Sequence, residues 1–331
     1  MSVPDRRVTL SDVAAAAGVS IGTVSKAVNR RGQLRAETRD RILAVADELG
    51  FALPTDTAAR ADQPPLTIGL VSSDDIGRFS IPVMRGLEDS FEQASVLLSA
   101  SRGDRVRERR AVETLAARGV DAIVVMTNHT GPRPALPDAG VPLVYVMGSS
   151  DDPADPSVVV DQTQGVLLAL EHVAALGRRD VSYVAGPVLD HAARLRADVV
   201  REHAASFGLR LADRPSLHGT WTETWGRQAA QILRRRDEPL DAVLCGSDEI
   251  ARGVADDLRE AGVAVPRDVA IVGFDNWEAA ALYARPALTT VDMNLEELGR
   301  AAGARVLEAV RGRPRPGIEA HPCQLIVRDS T

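Results

Sequence analysis

Lysine and aromatic residues are scarce in this chain of 331 residues. Lys26 is the single lysine, so 38 of the 39 basic residues are arginine, and aromatic residues make up 3%. The core must therefore be packed mainly with Ala, Val, Leu and Ile. The hydrophobic fraction of 45% is ordinary for a globular protein, and the length indicates two or three domains.

Long apolar segments are also missing. No run of about 18 apolar residues, as a membrane-spanning helix requires, is present. The first residues, MSVPDRRVTLSD, lack the apolar segment of a secretory signal peptide. Cys245 and Cys323 lie far apart and are interpreted as buried, reduced thiols. These absences predict a cytoplasmic protein without a membrane partner.

Motifs of the common enzyme classes are absent. The sequence has no P-loop, no G-x-G-x-x-G after a strand, no G-x-S-x-G and no H-E-x-x-H. Its six histidines do not cluster at metal-ligand spacing. Paired carboxylates are adjacent in sequence, which makes them diverge on a helix or strand. We therefore expect no enzymatic activity, no cofactor and no metal.

The charge is distributed unevenly along the chain. Residues 1–45 carry eight basic and four acidic residues, a net charge of +4, which leaves −11 for the remainder of a chain whose total is −7. A basic module on an acidic body suggests that the N-terminal part meets a polyanion. A chance fluctuation of a few charges is the alternative.

The N-terminal pattern predicts three short helices. Thr9 can cap a first helix over 10–17, and Gly18 suits its end. Ser20 can then cap a second helix that ends near residue 28, and a third spans about 36–49. A glycine turn between two short helices is typical of a helix-turn-helix, whose second helix enters the major groove of DNA. The alternative is an ordinary pair of helices with a solvated lysine.

From residue 66 onward, apolar strand-like runs alternate with helical patterns. Near-continuous apolar strands spaced by helices indicate parallel sheets covered on both faces. About ten such units are too many for one compact sheet, so two sheets in two subdomains are expected. The strand-like runs span 66–72, 122–126, 142–148, 157–161, 181–187, 242–248 and 269–275, and the helical candidates span 83–95, 105–118, 163–176, 194–206, 224–235, 248–261 and 295–311.

Polar residues follow these strands repeatedly, for example in Gly246-Ser247-Asp248 and Phe274-Asp275-Asn276. Ligands of open α/β sheets bind outside the carboxyl ends of the strands. Any single one of these loops is explained by turn chemistry alone. Their repetition predicts a ligand cleft between the subdomains.

The N-terminal segment VTLSDVAAAAGVSIGTVSKAVN, followed by ETRDRILAVADELGF, resembles the headpiece of the LacI/GalR family of bacterial transcriptional regulators. The resemblance implies that Ile21, Gly22 and Lys26 face DNA bases, where Lys26 could reach guanine O6 and N7. The residues that it places on the phosphate backbone are Thr9, Ser20, Thr23, Ser25 and Asn29. This chain differs from the family after the third helix, because LGFALPTDTAARADQPP lacks the leucine that wedges into the minor groove.

The body resembles the same family's effector-binding domain, which is similar to periplasmic sugar-binding proteins. Its markers include VPLVYV, AARLR, SDEIARG, VAIVGFD and PALTTV. The implied fold is a small all-α helix-turn-helix headpiece (1–53), a linker (54–65) and an α/β body (66–331) of two doubly wound parallel-sheet subdomains. The N-subdomain would span about 66–161 and 292–318, and the C-subdomain about 162–291 and 319–331. The chain would cross between them near Asp161, Val291 and Ile318.

The resemblance also implies an effector site. Arg196 and Asp275 would hydrogen-bond a polar ligand, and Trp221 would stack on a sugar ring. Phe79, Ser247 and Asp248 would line the same cleft. The alternatives are a solvated helix face for Arg196 and a core aromatic for Trp221.

Three functions fit these patterns to different degrees. The resemblance favours a dimeric, nucleoid-associated repressor that binds pseudo-palindromic operator DNA and is controlled by a sugar-like effector. A sugar-binding transport protein is the second reading, and the N-terminal headpiece argues against it. An α/β enzyme such as a sugar hydrolase is the third, and it lacks a recognisable nucleophile or metal motif.

Overall fold

The computed structural model describes residues 10–20, 23–24, 27, 38, 41–42, 44–46, 49, 65–74, 77–91, 93–127, 130–211 and 216–331. The chain divides into two compact units, Met1–Pro65 and Leu66–Thr331. Among the helices described, none has the length and apolar character needed to cross a membrane.

The first unit contains helix α1, which spans Leu10–Ala17 as predicted. Gly18 follows in the left-handed region (φ 64°), and the backbone N–H of Val19 donates to Ala14 O at 3.1 Å. Small side chains let the helical segments approach closely. The buried apolar residues of this unit are Val13, Ala14, Ala17, Val24, Ala27, Ile42 and Ala46.

A six-stranded parallel sheet forms the N-lobe of the second unit. Its strand order is β14-β7-β5-β3-β1-β2, and helices cover both faces. The N-lobe elements are β1 Leu66–Ser72, α2 Ser80–Asp89, β2 Ala94–Ala100, α3 Arg105–Ala117, β3 Ala122–Met126, β4 Pro132–Arg133, β5 Leu143–Val146, β6 Ser149–Ser150, β7 Pro156–Val160, α9 Leu295–Val310 and β14 Gly317–His321. The short strands β4 and β6 pair with each other outside the main sheet.

A seven-stranded sheet forms the C-lobe. Its main path is β10-β8-β11-β12-β13-β15, with β9 paired to β8. All of its pairs are parallel except β13 with β15. The C-lobe elements are α4 Gln162–Ala175, β8 Asp180–Ala185, α5 His191–His203, β9 Arg210–Leu211, β10 Leu217–His218, α6 Glu223–Arg234, β11 Ala242–Cys245, α7 Asp248–Glu260, β12 Ala270–Phe274, α8 Glu278–Ala281, β13 Thr289–Asp292 and β15 Gln324–Ile326.

Each lobe has one helix pair that packs through glycine. In the N-lobe, α2 meets α9, and a Cβ at Gly86 would lie 1.9 Å from Glu296 O. In the C-lobe, α6 meets α7, and a Cβ at Gly253 would lie 2.0 Å from Glu223 O. Both contacts require the absence of a side chain. They fix the position of α2 against α9 in one lobe and of α6 against α7 in the other.

One expectation from the sequence was wrong, and another is refined by a few residues. The helix predicted over 83–95 ends at Asp89, and a strand, β2, follows over Ala94–Ala100. Adjacent Leu97 and Leu98 are both exposed, so this edge strand lacks the alternating pattern by which a strand is recognised. The third passage between lobes follows His321, the last residue of β14, and therefore lies beyond Ile318.

Candidate ligand-binding cleft

A cavity of about 260 Å³ lies between the two lobes, at the carboxyl ends of the strands. Two of the loops that line this cavity also carry the N-cap residue of the next helix. Asp190 and Ser247 accept hydrogen bonds from the first turns of α5 and α7. The described residues that line the cavity are Arg78, Phe79, Thr130, Met147, Asp190, Ala192, Arg196, Trp221, Gly246, Ser247, Glu249, Asp275 and Met293.

Arg196 is fixed inside the C-lobe and is 4% exposed, which rejects a solvated helix face. Its Nε donates to Gln162 Oε1 at 2.7 Å, and NH1 donates to Gly246 O at 2.6 Å. The guanidinium carbon lies 3.6 Å from the centroid of the Phe274 ring. These contacts hold a cation at a fixed position in the cavity wall, so a ligand would meet a preorganised donor.

Asp275 follows β12 directly and adopts a positive φ of 108°, which is unusual for a non-glycine residue. Its backbone N–H donates to Val291 O at 2.8 Å. Burial raises the pKa of its carboxyl group, and the guanidinium groups of Arg78 and Arg196 oppose that rise. Since Oδ1 lies 3.9 Å from Arg196 NH1, the carboxylate and the guanidinium face the same cavity as an acceptor and donor pair.

Arg78 was not identified from the sequence, although it is central to the cleft. It lies just before α2 in the N-lobe and reaches across to the C-lobe, where NH1 donates to Glu249 Oε2 at 2.8 Å and NH2 pairs with Asp275 Oδ2. Burial lowers the pKa of Arg78, but Asp275 and Glu249 more than offset this effect, so that the pKa is raised. The guanidinium also lies over Phe79 and Trp277, at 4.9 and 4.5 Å from the ring centroids.

The polar end of β1 positions this arginine. Asp74 Oδ2 accepts hydrogen bonds from the backbone N–H groups of Phe79 and Ser80, at 2.7 and 2.9 Å. Gly77 has a φ of 78° and turns the chain before Arg78. Phe79 is brought into the cleft, where the resemblance placed it.

Trp221 also lies in the cleft, and its ring packs on two backbone segments without side chains. A Cβ at Gly186 or Gly246 would lie 2.4 or 3.1 Å from the indole. The ring is partly buried against the apolar cluster between β11 and α7. Trp221 is therefore both a packed aromatic and part of the cavity wall.

Ser247 and Asp248 occupy different depths. Ser247 lines the cavity and caps α7, since its Oγ accepts from Ile250 N at 3.3 Å. Asp248 lies beneath the cavity lining with no exposed surface. It accepts from Trp277 N at 2.7 Å and from Thr290 Oγ1 at 2.5 Å. Because of these hydrogen bonds, Asp248 supports the loop that carries Asp275, and it does not line the cavity as the resemblance implied. Burial raises the pKa of its carboxyl group to about 8.

Of the residues predicted to contact DNA, the structure describes Ser20 and Thr23. The backbone N–H of Thr23 donates to Ser20 Oγ at 3.2 Å, and the two hydroxyl oxygens lie 2.8 Å apart. This is the N-cap geometry expected at the start of a second helix. Thr9, Ile21, Gly22, Ser25, Lys26 and Asn29 lie outside the described residues, as does the linker over 54–64.

Two family descriptions match different parts of the chain. Residues 9–53 match the bacterial regulatory proteins of the lacI family. Residues 170–331 match the periplasmic binding protein-like domain.

Relatives match nearly the whole length. The HTH-type transcriptional regulator MalR of Streptomyces coelicolor is 31% identical, over 97% of this chain and 96% of its own. The lactose operon repressor of Escherichia coli is 28% identical, over 98% and 91%. Among solved structures, the transcriptional regulator CelR in complex with cellobiose matches with a TM-score of 0.66 and 27% identity, over 98% of this chain and all of its own.

The headpiece motif, the two-lobed body and the full-length likeness to characterised regulators agree with one another. The predicted fold, a helix-turn-helix headpiece with a periplasmic-binding-protein-like body, is confirmed. The chain belongs to the lacI family of bacterial regulatory proteins and is a DNA-binding transcriptional regulator.

Proposed function

We propose that the protein is a dimeric repressor whose affinity for operator DNA is controlled by a small polar effector bound between the two lobes. The effector is a neutral sugar or sugar derivative. Ligand binding changes the relative position of the lobes, and this change reaches the headpieces through the N-lobes. Control of this kind requires that the effector bind the two states of the repressor with different affinity.

The arrangement of Arg196, Asp275 and Trp221 around one cavity carries this proposal. A fixed guanidinium donates to hydroxyl oxygens, a carboxylate accepts from adjacent hydroxyl groups, and an indole face covers the apolar side of a ring. CelR, which was solved as a cellobiose complex, supports a carbohydrate as the class of ligand.

Charge within the cavity supports a neutral effector. The lining holds two arginines, Arg78 and Arg196, and three acidic residues, Asp190, Glu249 and Asp275. The acidic residues outnumber the arginines by one. An anionic effector would therefore add negative charge to a lining that already has an excess of negative charge, at a site of low dielectric. Sugar phosphates and uronic acids are therefore disfavoured.

Dimerisation is proposed through the N-lobe. Strand β2 lies at the edge of the six-stranded sheet, and it exposes Leu97 and Leu98. Val106, on the neighbouring helix α3, is also exposed. An exposed edge strand with adjacent apolar residues favours association with a second copy. Two joined N-lobes would present two headpieces to a pseudo-palindromic site.

The remaining parts of the proposal follow from this role. The protein acts on DNA in the cytoplasm, associated with the nucleoid, and performs no catalysis. Sequence recognition rests on Ile21, Gly22 and Lys26, while Thr9, Ser20, Thr23, Ser25 and Asn29 contact phosphate groups. No cofactor takes part in this mechanism.

A melting-temperature screen of the purified protein tests the proposal. The screen contains monosaccharides, disaccharides, sugar alcohols, sugar phosphates and nucleobases. A ligand present at about a hundred times its dissociation constant stabilises the folded protein by roughly 2.7 kcal/mol. A neutral sugar that raises the melting temperature and changes the affinity for a duplex selected from random sequences supports the proposal. A nucleobase as the single ligand would contradict the sugar assignment.

A further inference from the structure

A second cavity lies beside the first, on the far side of Arg78. It has a volume of about 480 Å³ and is lined by residues of both lobes, among them Trp277, Glu278, Asp292 and Asn294. The residues that line both cavities are Arg78, Phe79 and Asp275. The Arg78–Asp275 ion pair and the Phe79 ring therefore form the wall between two compartments of one cleft.

Four side chains hold Arg78 in this wall. Glu249 and Asp275 bind two of its guanidinium nitrogens from the C-lobe. The rings of Phe79 and Trp277 lie against its guanidinium group, in the geometry of cation–π contacts. Its side chain is 10% exposed. A planar guanidinium group suits such a paired and stacked site. The contacts therefore fix Arg78 in one position between the two cavities.

The inner compartment contains the groups that recognise a sugar, namely Arg196, Asp275 and Trp221. Its volume of about 260 Å³ falls below the range of roughly 300–1,000 Å³ that is common for drug-sized ligands. A single pyranose or furanose ring suits this space. Among the described residues, the neighbouring space for a second ring is the cavity beside Trp277, and Arg78 lies between the two cavities.

We propose that Arg78 is a specificity-determining residue, which divides the cleft and restricts the effector to a single sugar ring. This inference rests on the proposed function, since it assumes that a carbohydrate binds at Arg196 and Asp275. A two-ring sugar would have to displace the guanidinium and leave the buried carboxylate of Asp275 and the partly buried carboxylate of Glu249 without their shared cation. Stranding buried charges of this kind is costly, so the ion pair discriminates against longer ligands.

The test compares single-ring and two-ring sugars by isothermal titration calorimetry. The single-ring probes are glucose, galactose and ribose, and the two-ring probes are cellobiose, maltose and lactose. The test variant is Arg78→Ala combined with Glu249→Gln, which opens the wall, removes one stranded carboxylate and leaves Asp275 beside Arg196. The matched control is Arg210→Ala, which removes an arginine from an exposed pair with Asp180.

The wild type is expected to bind a single-ring sugar and to bind its two-ring counterparts at least about tenfold more weakly. The double variant is expected to lose this preference, and Arg210→Ala is expected to keep it. Should the double variant fail to fold, Arg78→Lys replaces it. Lysine keeps the charge beside Asp275 with a slimmer, non-planar group, and is expected to narrow the preference.

Two results would overturn the inference while sugar binding remains intact. One is a wild type that binds two-ring sugars as tightly as single-ring sugars. The other is an unchanged preference in the folded Arg78 variant. Failure of the wild type to bind any of the probes would contradict the proposed sugar effector. The inference about Arg78 would then be wrong as well, because it assumes a sugar ligand.

Discussion

Arg78 of the N-lobe and Asp275 of the C-lobe form an ion pair across the cleft, between residues separated by 197 positions in the chain. The pair joins the lobes at the carboxylate that is expected to bind the effector. A ligand that engages Asp275 therefore acts on a contact between the lobes. We expect this geometry to couple occupation of the cleft to lobe position.

Asp275→Asn tests the effector site. The substitution keeps the shape of the side chain but removes the charge that faces Arg78 and Arg196. We expect the effector to lose most of its stabilising effect in a melting-temperature assay. Asp180→Asn, which alters an exposed pair with Arg210, is the control. A normal effector response in Asp275→Asn would contradict the assigned role.

Asp248 predicts a pH dependence of stability. Burial raises its pKa to about 8, whereas an unfolded aspartate titrates near 3.9. At a pH between these two pKa values, the carboxyl group of Asp248 is therefore protonated in the native state and ionised in the unfolded state. Its stabilising contribution is complete below the unfolded pKa and is lost as the pH rises through the folded pKa, at roughly 1.4 kcal/mol per pH unit at most.

Asp248→Asn mimics the neutral acid and removes this titration. Urea unfolding at pH 5 and pH 8 should therefore show a smaller loss of stability for the variant than for the wild type. Asp180→Asn provides a control, because Arg210 lowers the pKa of Asp180. That carboxylate stays ionised in the folded and unfolded states between pH 5 and pH 8, so the variant should keep the wild-type pH profile. Parallel pH profiles for the wild type and Asp248→Asn would refute the predicted protonation.

Gly86→Ala tests the close contact of α2 with α9. A Cβ at this position would lie 1.9 Å from Glu296 O, and backbone must move to admit it. Overpacking of this kind costs roughly 1–3 kcal/mol, which we expect as a lower urea midpoint. Glu113→Ala introduces alanine on an exposed position of α3 and should change stability by less than about 0.5 kcal/mol. Equal stability of the two variants would show that the helices can separate freely.

Leu98→Asp tests the proposed dimer surface. Leu98 on the edge strand β2 is 49% exposed, and a carboxylate there would be desolvated in a dimer. We expect sedimentation velocity to show a shift toward monomer and operator affinity to fall with it. Leu189→Asp, at a more exposed position of the C-lobe, should leave the dimer intact. An unchanged dimer in Leu98→Asp would exclude this surface.

The sequence predicted the two-sheet architecture because buried parallel strands leave a strong local signal. The runs over 66–72 and 122–126 coincide with β1 and β3. Strand β2 was missed because an edge strand with adjacent exposed leucines carries neither alternation nor a continuous apolar run. The position of the final crossing also depends on how far β14 pairs with β7, which no local pattern records.

The cleft was predictable only in part. Arg196, Trp221, Ser247, Phe79 and Asp275 all line it, and the family resemblance implied a place in the cleft for each of them. Arg78 had no such signal, since its role depends on acidic partners far away in the chain. Local patterns could not show that contact between lobes.

Reciprocal linkage between effector and operator tests the central claim most directly. The measurement takes an effector from the screen and a duplex selected from random sequences, and determines the dissociation constant of each in the absence and at saturation of the other. A gated repressor requires that both constants change by one common factor, typically 5–150-fold. A factor of one for both ligands would show that the cleft does not control DNA binding and would contradict the account.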